Sequence, residues 1–261
     1  MKSFGIILPL VLLLLTSCKE ESPTSNDTEL DESTDLIYAP TDEFDLSADG
    51  YTSVNISGFQ ILVEDKAKKS SLTATNKALS ILGKSLSEIK QLTINEEIKA
   101  TLLEVPIFVD LATEENRAAV YHPGREWLIE NGYPEQKEGA IEISNITNFI
   151  SWTEQNQPYM VLHELAHAYH HRIFNFNNED IDNAYENALQ NGLYLSIGYH
   201  EGGGEYTTRA RAYGLNNEKE FFAEATEAYF GTNDFYPYER NDLQSYDSVS
   251  YKMIKTVWEQ N

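Results

Sequence analysis

The stretch His163-Glu164-Leu165-Ala166-His167 decides how this chain is interpreted, because it carries the pattern HExxH inside an apolar run. On a helix, residues at i and i+4 lie on one face about one turn apart. The imidazoles of His163 and His167 can therefore converge on one tetrahedral metal ion. Glu164 projects beside them, where a carboxylate can take a proton from a water molecule that the metal polarises. The alternative is a surface helix with two solvated histidines.

Helical signals surround the motif. Pro158 stands where a helix would begin, and its fixed φ suits the first helical position. The helix is predicted to continue from residue 160 to residue 171. The residues that flank the motif are apolar, which predicts a helix with a buried face: Val161, Leu162, Leu165 and Ala168.

A catalytic zinc ion normally has three protein ligands, so a third ligand is expected downstream of the motif. The extended pattern with a glycine and a third histidine is absent, since His170 and Ile173 stand at those two positions. A glutamate ligand is therefore expected. Glu186, with eighteen residues between it and His167, and Glu220 on a later helical run are the two candidates.

The later run favours Glu220. Tyr213-Gly214-Leu215-Asn216-Asn217-Glu218-Lys219-Glu220-Phe221-Phe222-Ala223-Glu224-Ala225 resembles the zinc-site segment of the lethal-factor-like gluzincin metallopeptidases, the group of the anthrax lethal factor catalytic domain. In that family a tyrosine precedes a glutamate ligand by seven positions, and a second glutamate follows four later. Tyr213, Glu220 and Glu224 match these places. The close resemblance covers this segment and the HExxH helix.

The resemblance implies a role for each of the three residues. Glu220 would complete a zinc site with the two histidines, and Glu224 would accept the outer N–H of a ligand histidine, which fixes the ring. Tyr213 would point its hydroxyl at the scissile carbonyl, where a donor stabilises the developing oxyanion. The bland alternatives are an ordinary acidic helix face for Glu224 and a core or hairpin position for Tyr213.

Apolar periodicity outlines the rest of the domain. Strands are predicted at residues 58–63, 107–111 and 140–145, and helices at 71–94, 95–103 and 218–229. The alternating run 140–145 predicts a half-exposed edge strand, which an extended substrate could join. Gly202-Gly203-Gly204 predicts a hairpin turn. Strands followed mostly by helices predict an α+β domain, and the resemblance implies a zincin-like one with the HExxH motif on its active-site helix.

The first seventeen residues have the features of a lipoprotein signal peptide. Lys2 is followed by an apolar run too short to span a bilayer, and Leu15-Thr16-Ser17-Cys18 resembles a bacterial lipobox. Cys18 is the only cysteine, so no intrachain disulfide can form. We therefore expect Cys18 to be lipidated and to anchor the chain in a bacterial cell envelope, unless it is an incidental cysteine. Lys19 rather than aspartate follows it, which favours the outer membrane.

Residues 18–50 are predicted to be a disordered tether, and residues 51–261 the catalytic domain. Eleven acidic residues and a single lysine follow Cys18 in that tether, so little apolar area is available to offset the entropy of ordering it. The whole chain has a net charge of -23, which excludes nucleic acid as an expected partner because phosphates would be repelled.

The expected function is therefore that of a zinc-dependent peptidase acting on a peptide or protein substrate. The alternative is a catalytically inactive lipoprotein with a zincin fold that acts as a binding module. A purely structural zinc site is disfavoured, since such sites are usually closed by four ligands rich in cysteine. Three further histidines are expected to be structural: His170 and His171 near a helix C-terminus that favours positive charge, and His122 in a loop.

Overall fold

The computed structural model describes residues 35–259 of the 261-residue chain, which form a mixed α/β fold with more helix than strand. The strands are β1 (Tyr51–Ile56), β2 (Phe59–Glu64), β3 (Ile107–Val109), β4 (Ala119–Tyr121), β5 (Ile141–Ile143), β6 (Leu195–Gly202) and β7 (Glu205–Arg211). The helices are α1 (Asp65–Ser70), α2 (Leu72–Lys90), α3 (Glu96–Leu103), α4 (Arg125–Glu130), α5 (Ile146–Gln155), α6 (Met160–Phe174), α7 (Glu179–Gln190), α8 (Glu218–Phe230), α9 (Arg240–Tyr246) and α10 (Ser248–Glu259). Short 3₁₀ turns lie at Glu135–Lys137 and Tyr213–Asn216.

Five strands form one mixed sheet in the order β1-β2-β3-β5-β4. β1 and β2 form an antiparallel hairpin, β2, β3 and β5 run parallel, and β4 returns antiparallel to β5. β4 is therefore an edge strand, whereas β5 lies inside the sheet.

The expectation that residues 140–145 form a half-exposed edge strand is wrong. All three residues of β5 are buried, and the polar one, Glu142, lies in an ionic cluster behind the sheet. Its carboxylate is 2.9 Å from Lys137 Nζ and 2.6 Å from His122 Nε2, and Lys137 Nζ also lies 2.6 Å from Asp110 Oδ2. A carboxylate can be buried when two such charged partners surround it. The alternation of apolar and polar residues along this strand therefore does not indicate exposure to solvent.

The main core lies between the sheet and the helices. α6 and α10 each pack against α8, and Trp258 of α10 contacts α6 as well as α8. Its ring lies 4.6 Å from that of Tyr169 on α6 and 5.9 Å from that of Phe222 on α8, measured between centroids. Close packing of large rings holds α6 and α8 rigidly against each other.

The opposite face of the sheet is covered by the segment that precedes β1. Leu46 and Ala48 pack on the buried side chains of Leu62 and Phe108. The predicted disorder of residues 18–50 is therefore wrong for residues 35–50, since this stretch has apolar residues that find a surface to cover. The predicted signal peptide, Cys18 and the rest of the tether lie outside the described residues.

β6 and β7 form a separate antiparallel hairpin, and the turn predicted at Gly202-Gly203-Gly204 is confirmed. All three glycines have positive φ, the conformation that glycine adopts without steric cost. Within residues 35–259, no helix has the length and apolarity needed to cross a membrane.

Candidate metal centre

The helix α6 presents both motif histidines on one side. The rings of His163 and His167 lie 4.8 Å apart between centroids. Both side chains are largely buried. Glu164, one position after the first histidine, is also buried although it carries a carboxylate. Such burial is unusual for a glutamate and indicates a specific role.

The helix α8 brings Glu220 to the same point. The side chain of Asn217 accepts hydrogen bonds from the backbone N–H groups of Lys219 and Glu220, which caps the helix at its first turn. Glu220 Oε2 lies 3.1 Å from His163 Nε2 and 3.3 Å from His167 Nε2. Two helices that are distant in sequence thus direct three donor atoms at one small volume.

The donor set fits a zinc ion. A tetrahedral zinc ion with bonds of about 2.0–2.2 Å separates its ligand atoms by roughly 3.3 Å, which matches the two measured separations. His163, His167 and Glu220 form one of two groups among the described residues whose geometry could hold a metal ion. The other is His163 with Glu224 and Glu227, on the far side of the same ring. Glu186, the alternative ligand, is exposed on α7 and belongs to neither group.

Electrostatics keep Glu220 in the form that binds a cation. Burial alone would raise the pKa of its carboxyl, but hydrogen bonds from His163 and His167 lower it well below the usual range. For His163, burial lowers the pKa, while the carboxylates of Glu220 and Glu227 outweigh burial and raise it. The imidazole therefore lies in a strongly negative environment that favours a cation.

The residue that supports His163 differs from the expected one. Glu227 Oε1 lies 2.7 Å from His163 Nδ1, whereas the carboxylate of Glu224 accepts a hydrogen bond from Asn233 Nδ2 at 2.9 Å. The assignment of Glu224 to the outer nitrogen is corrected to Glu227. The seven-residue spacing from Glu220 to Glu227 could have indicated this, since it is two helical turns and keeps both on one face.

Buried acids continue beyond Glu227. Burial, followed by the charges of Asp234 and Glu227, raises the pKa of Glu224. Burial and Glu227 raise the pKa of Asp234 to about 6. Asp234 is also held by Gln157, whose Nε2 donates to its carboxylate at 3.0 Å. This side of the candidate metal centre is therefore acidic and poorly solvated.

Glu164 is fixed by the edge strand of the sheet. The backbones of Ala118 and His122 bond to the neighbouring strand β5, so Ala119 and Tyr121 turn their N–H and C=O groups toward the free edge. Tyr121 N–H donates to Glu164 Oε2 at 2.7 Å. One oxygen of Glu164 is thereby oriented, and the carboxylate stands between the edge strand and the histidines.

Tyr213 lies at the rim of the same site, 48% exposed. Burial of part of the ring and the nearby Glu220 raise the pKa of its hydroxyl, which therefore stays protonated at neutral pH. Among residues 35–259 the hydroxyl has no hydrogen-bond partner. It is thus available as a donor to a bound molecule.

One cleft of about 780 Å³ is lined by the side chains of His163, Glu164, His167, Tyr213, Glu220, Glu224, Glu227, Asp234 and Gln157. Its walls come from β4, α6, the hairpin β6–β7 and α8. This volume is in the range that holds small-molecule or short peptide ligands.

Two of the other histidines are fully buried away from the cleft. His170 is fully buried among Phe174, Phe176 and Phe222, neither ring nitrogen has a partner, and burial lowers its pKa to about 4. The expected favourable charge at the helix C-terminus is therefore absent at this residue. His122 lies in the loop after β4, as expected, and is buried against Glu142.

No protein-family model, curated protein or solved structure matches this chain. The likeness to lethal-factor-like peptidases therefore depends on the two short segments described above.

Proposed function

We propose that the chain is a zinc-dependent peptidase with a zincin-like fold. The observation that carries the proposal is the convergence of His163 Nε2, His167 Nε2 and Glu220 Oε2 beside a buried Glu164. Two histidines and one carboxylate leave a position open on zinc, which is typical of catalytic rather than structural sites. Bound there, zinc would supply Lewis acidity to a carbonyl group.

Glu164 is the general base in this proposal. Its Oε2 is occupied by Tyr121 N–H, and its other oxygen takes the proton of the attacking water. A carboxylate so placed can then return the proton to the leaving amine. Tyr213 donates its free hydroxyl to the oxygen on which negative charge develops, an interaction worth roughly 10²–10³ in kcat in comparable sites.

The free edge of β4 binds the substrate backbone. Ala119 directs its N–H and C=O groups at the cleft, and Glu164 already occupies Tyr121 N–H. An extended peptide can pair with this edge as a further strand. The pairing ends at Tyr121, because Glu164 already binds its N–H. The reacting bond is thereby held close to Glu164.

The test is a comparison of metal content with cleavage of a protein substrate such as casein. Wild type should hold about one zinc per chain and cleave, and His163→Ala and His167→Ala should lose the metal. Glu164→Gln should retain zinc and lose activity, since it removes the base alone. Glu186→Gln, on the exposed face of α7, is the matched control and should behave as wild type.

The outcomes separate the alternatives. Zinc retained by both histidine variants would contradict the assignment of the metal centre. Zinc binding by wild type with no cleavage of any peptide would instead favour the inactive binding module.

We also propose that the chain is attached to a bacterial envelope through lipid on Cys18. The proposal is supported by the sequence Leu15-Thr16-Ser17-Cys18. Cys18→Ser should move the protein from the membrane fraction to the soluble fraction, because more than one acyl chain is needed for stable anchoring. A variant that still sediments with membranes would contradict the lipobox interpretation.

A further inference from the structure

The charges of the cleft are unevenly distributed. Its lining includes five carboxylates and three cations. The carboxylates belong to Glu164, Glu220, Glu224, Glu227 and Asp234, and the cations to Arg117, Arg209 and Lys219. The chain as a whole carries -23, so its general field repels an anionic substrate. Any preference for a substrate carboxylate would therefore have to come from one local cation.

Two of the three cations are already engaged. Arg209 Nη2 lies 2.7 Å from Glu201 Oε1, and its guanidinium lies over the ring of Tyr199 at 4.6 Å. Lys219 Nζ lies over the ring of Phe176 at 4.3 Å. Both contacts compensate positive charge.

Arg117 differs from them. In residues 35–259 its guanidinium has neither an ion-pair partner nor a hydrogen-bond partner, although the residue is half-buried in the lining of the cleft. An arginine has five N–H donors in a planar fork that matches a carboxylate. Leaving all five without a protein partner is costly unless water or a ligand satisfies them.

The backbone that carries Arg117 is held firmly. Asn148 Nδ2 donates to the carbonyl oxygens of Arg117 and Glu115, at 3.0 and 2.9 Å. Asn145 Nδ2 donates to the carbonyl oxygen of Glu114 at 3.1 Å. The loop therefore presents its arginine from a fixed position, which lowers the entropic cost of binding.

We propose that Arg117 binds a carboxylate of the substrate and so determines specificity. This inference rests on the proposed peptidase function. Arg117 lies in the loop two residues before β4, and the N–H of Tyr121 at the other end of β4 holds Glu164. The guanidinium therefore meets a substrate carboxylate at one fixed distance from the scissile bond. A C-terminal carboxylate and an Asp or Glu side chain offer the same chemistry.

Cleavage of two synthetic decamer libraries tests this, one with free C-termini and one with amidated C-termini. The full-length zinc-loaded protein is used, and products are mapped by mass spectrometry. Wild type should show a kcat/KM at least ten times higher for peptides with a carboxylate at one fixed distance from the cleaved bond. Loss of the preference on amidation identifies the C-terminus, whereas enrichment of Asp or Glu in both libraries identifies a side chain.

Arg117→Ala should abolish the preference, and Arg117→Gln, which keeps a polar side chain, should abolish it too. Arg209→Ala is the matched control, because Arg209 lines the same cleft but is already paired; it should retain the preference. A wild type without any carboxylate preference, or a preference that survives both substitutions at Arg117, overturns the proposal.

Failure of the peptidase function has a different signature. If no peptide is cleaved, binding of fluorescein-labelled decamers to wild type and to Arg117→Gln is compared by anisotropy. Tighter binding of the carboxylate-bearing decamers to wild type alone sustains the anion site. Equal binding by the two proteins overturns the inference as well.

Discussion

Glu227 fixes the orientation of a ring that could bind the metal. Its carboxylate lies 2.7 Å from His163 Nδ1, so the other ring nitrogen is left free to face Glu220. Removing such a supporting carboxylate usually weakens metal binding 10–100-fold. We expect that loss for Glu227→Ala, measured as zinc transfer to a chromogenic chelator.

Glu224→Ala is the control for that experiment. Its carboxylate contacts Asn233 rather than the histidine, so the zinc affinity should stay within a few-fold of wild type. A larger loss for Glu224→Ala than for Glu227→Ala would return the supporting role to Glu224.

The sequence predicted which side chains form the candidate metal site, but not which glutamate forms a hydrogen bond with His163. His163, His167 and Glu220 were expected together from helical spacing and resemblance, and the structure brings them together. Glu220, Glu224 and Glu227 lie along one stripe of α8, so spacing allowed either later glutamate to reach His163. The choice depends on Asn233, a residue beyond the helix that no periodicity links to the site.

His170 allows a test of pH dependence. Its pKa is about 4 in the folded chain because of burial, against about 6.5 in an unfolded one. The unfolded chain therefore binds more protons between these values, and folding stability falls as pH drops from about 6.5 to about 4. A shift of this size corresponds to about 3 kcal/mol.

His170→Phe should remove this contribution. A phenyl ring suits the cage of Phe174, Phe176 and Phe222 and leaves no unpartnered nitrogen. Urea unfolding at pH 7 and pH 5 should show a smaller loss of stability for the variant than for wild type. Equal losses would mean that His170 does not carry the effect.

At the scale of elements, the start of α8 sets the position of Glu220. Asn217 caps this helix through Lys219 N–H and Glu220 N–H. Asn217→Ala should cost about 1 kcal/mol of stability and, by fraying the first turn, also weaken zinc binding. Both quantities are measurable on one sample, by urea unfolding and chelator competition.

Asn178 provides the matched control. It caps α7 in the same way, through Asp180 N–H and Ile181 N–H, but α7 contributes no residue to the candidate metal centre. Asn178→Ala should lose similar stability and keep the zinc affinity. If both variants lose zinc equally, the effect is global destabilisation rather than displacement of Glu220.

Two long helices were predicted closely, whereas β4 was missed and β5 was misplaced. Long helices such as α2 and α8 have apolar spacing and an identifiable start, and they were predicted within a few residues. β4 has three residues, too few for any period, and was not predicted although it borders the site. β5 was predicted as an element but assigned to the wrong place in the sheet, because Lys137 and His122 allow Glu142 to be buried.

At the scale of the molecule, composition concealed the packing of residues 35–50 against the sheet. Residues 35–50 are acidic on average, yet Leu36, Tyr38 and Leu46 pack on the cores at either side of the sheet. Thr41 N–H also donates to Ser53 C=O at 2.9 Å, which joins the segment to β1. A few well-placed apolar side chains thus decide order in a segment whose mean charge predicts disorder.

A chain that begins at residue 51 should therefore be less stable than one that begins at residue 35. Removing residues 35–50 would uncover Leu62 and Phe108 on one face of the sheet and take Tyr38 away from the other. The half-buried side chains of Leu36, Tyr38 and Leu46 should contribute roughly 3 kcal/mol to the free energy of unfolding. Urea unfolding of the two truncated chains and the full chain measures this difference in stability.

The chain from residue 35 should be as stable as the full chain, and Leu46→Ala in the full chain should show part of the loss of stability. Equal stability of the chains from residues 35 and 51 would mean that residues 35–50 contribute no net stability, as their composition suggests.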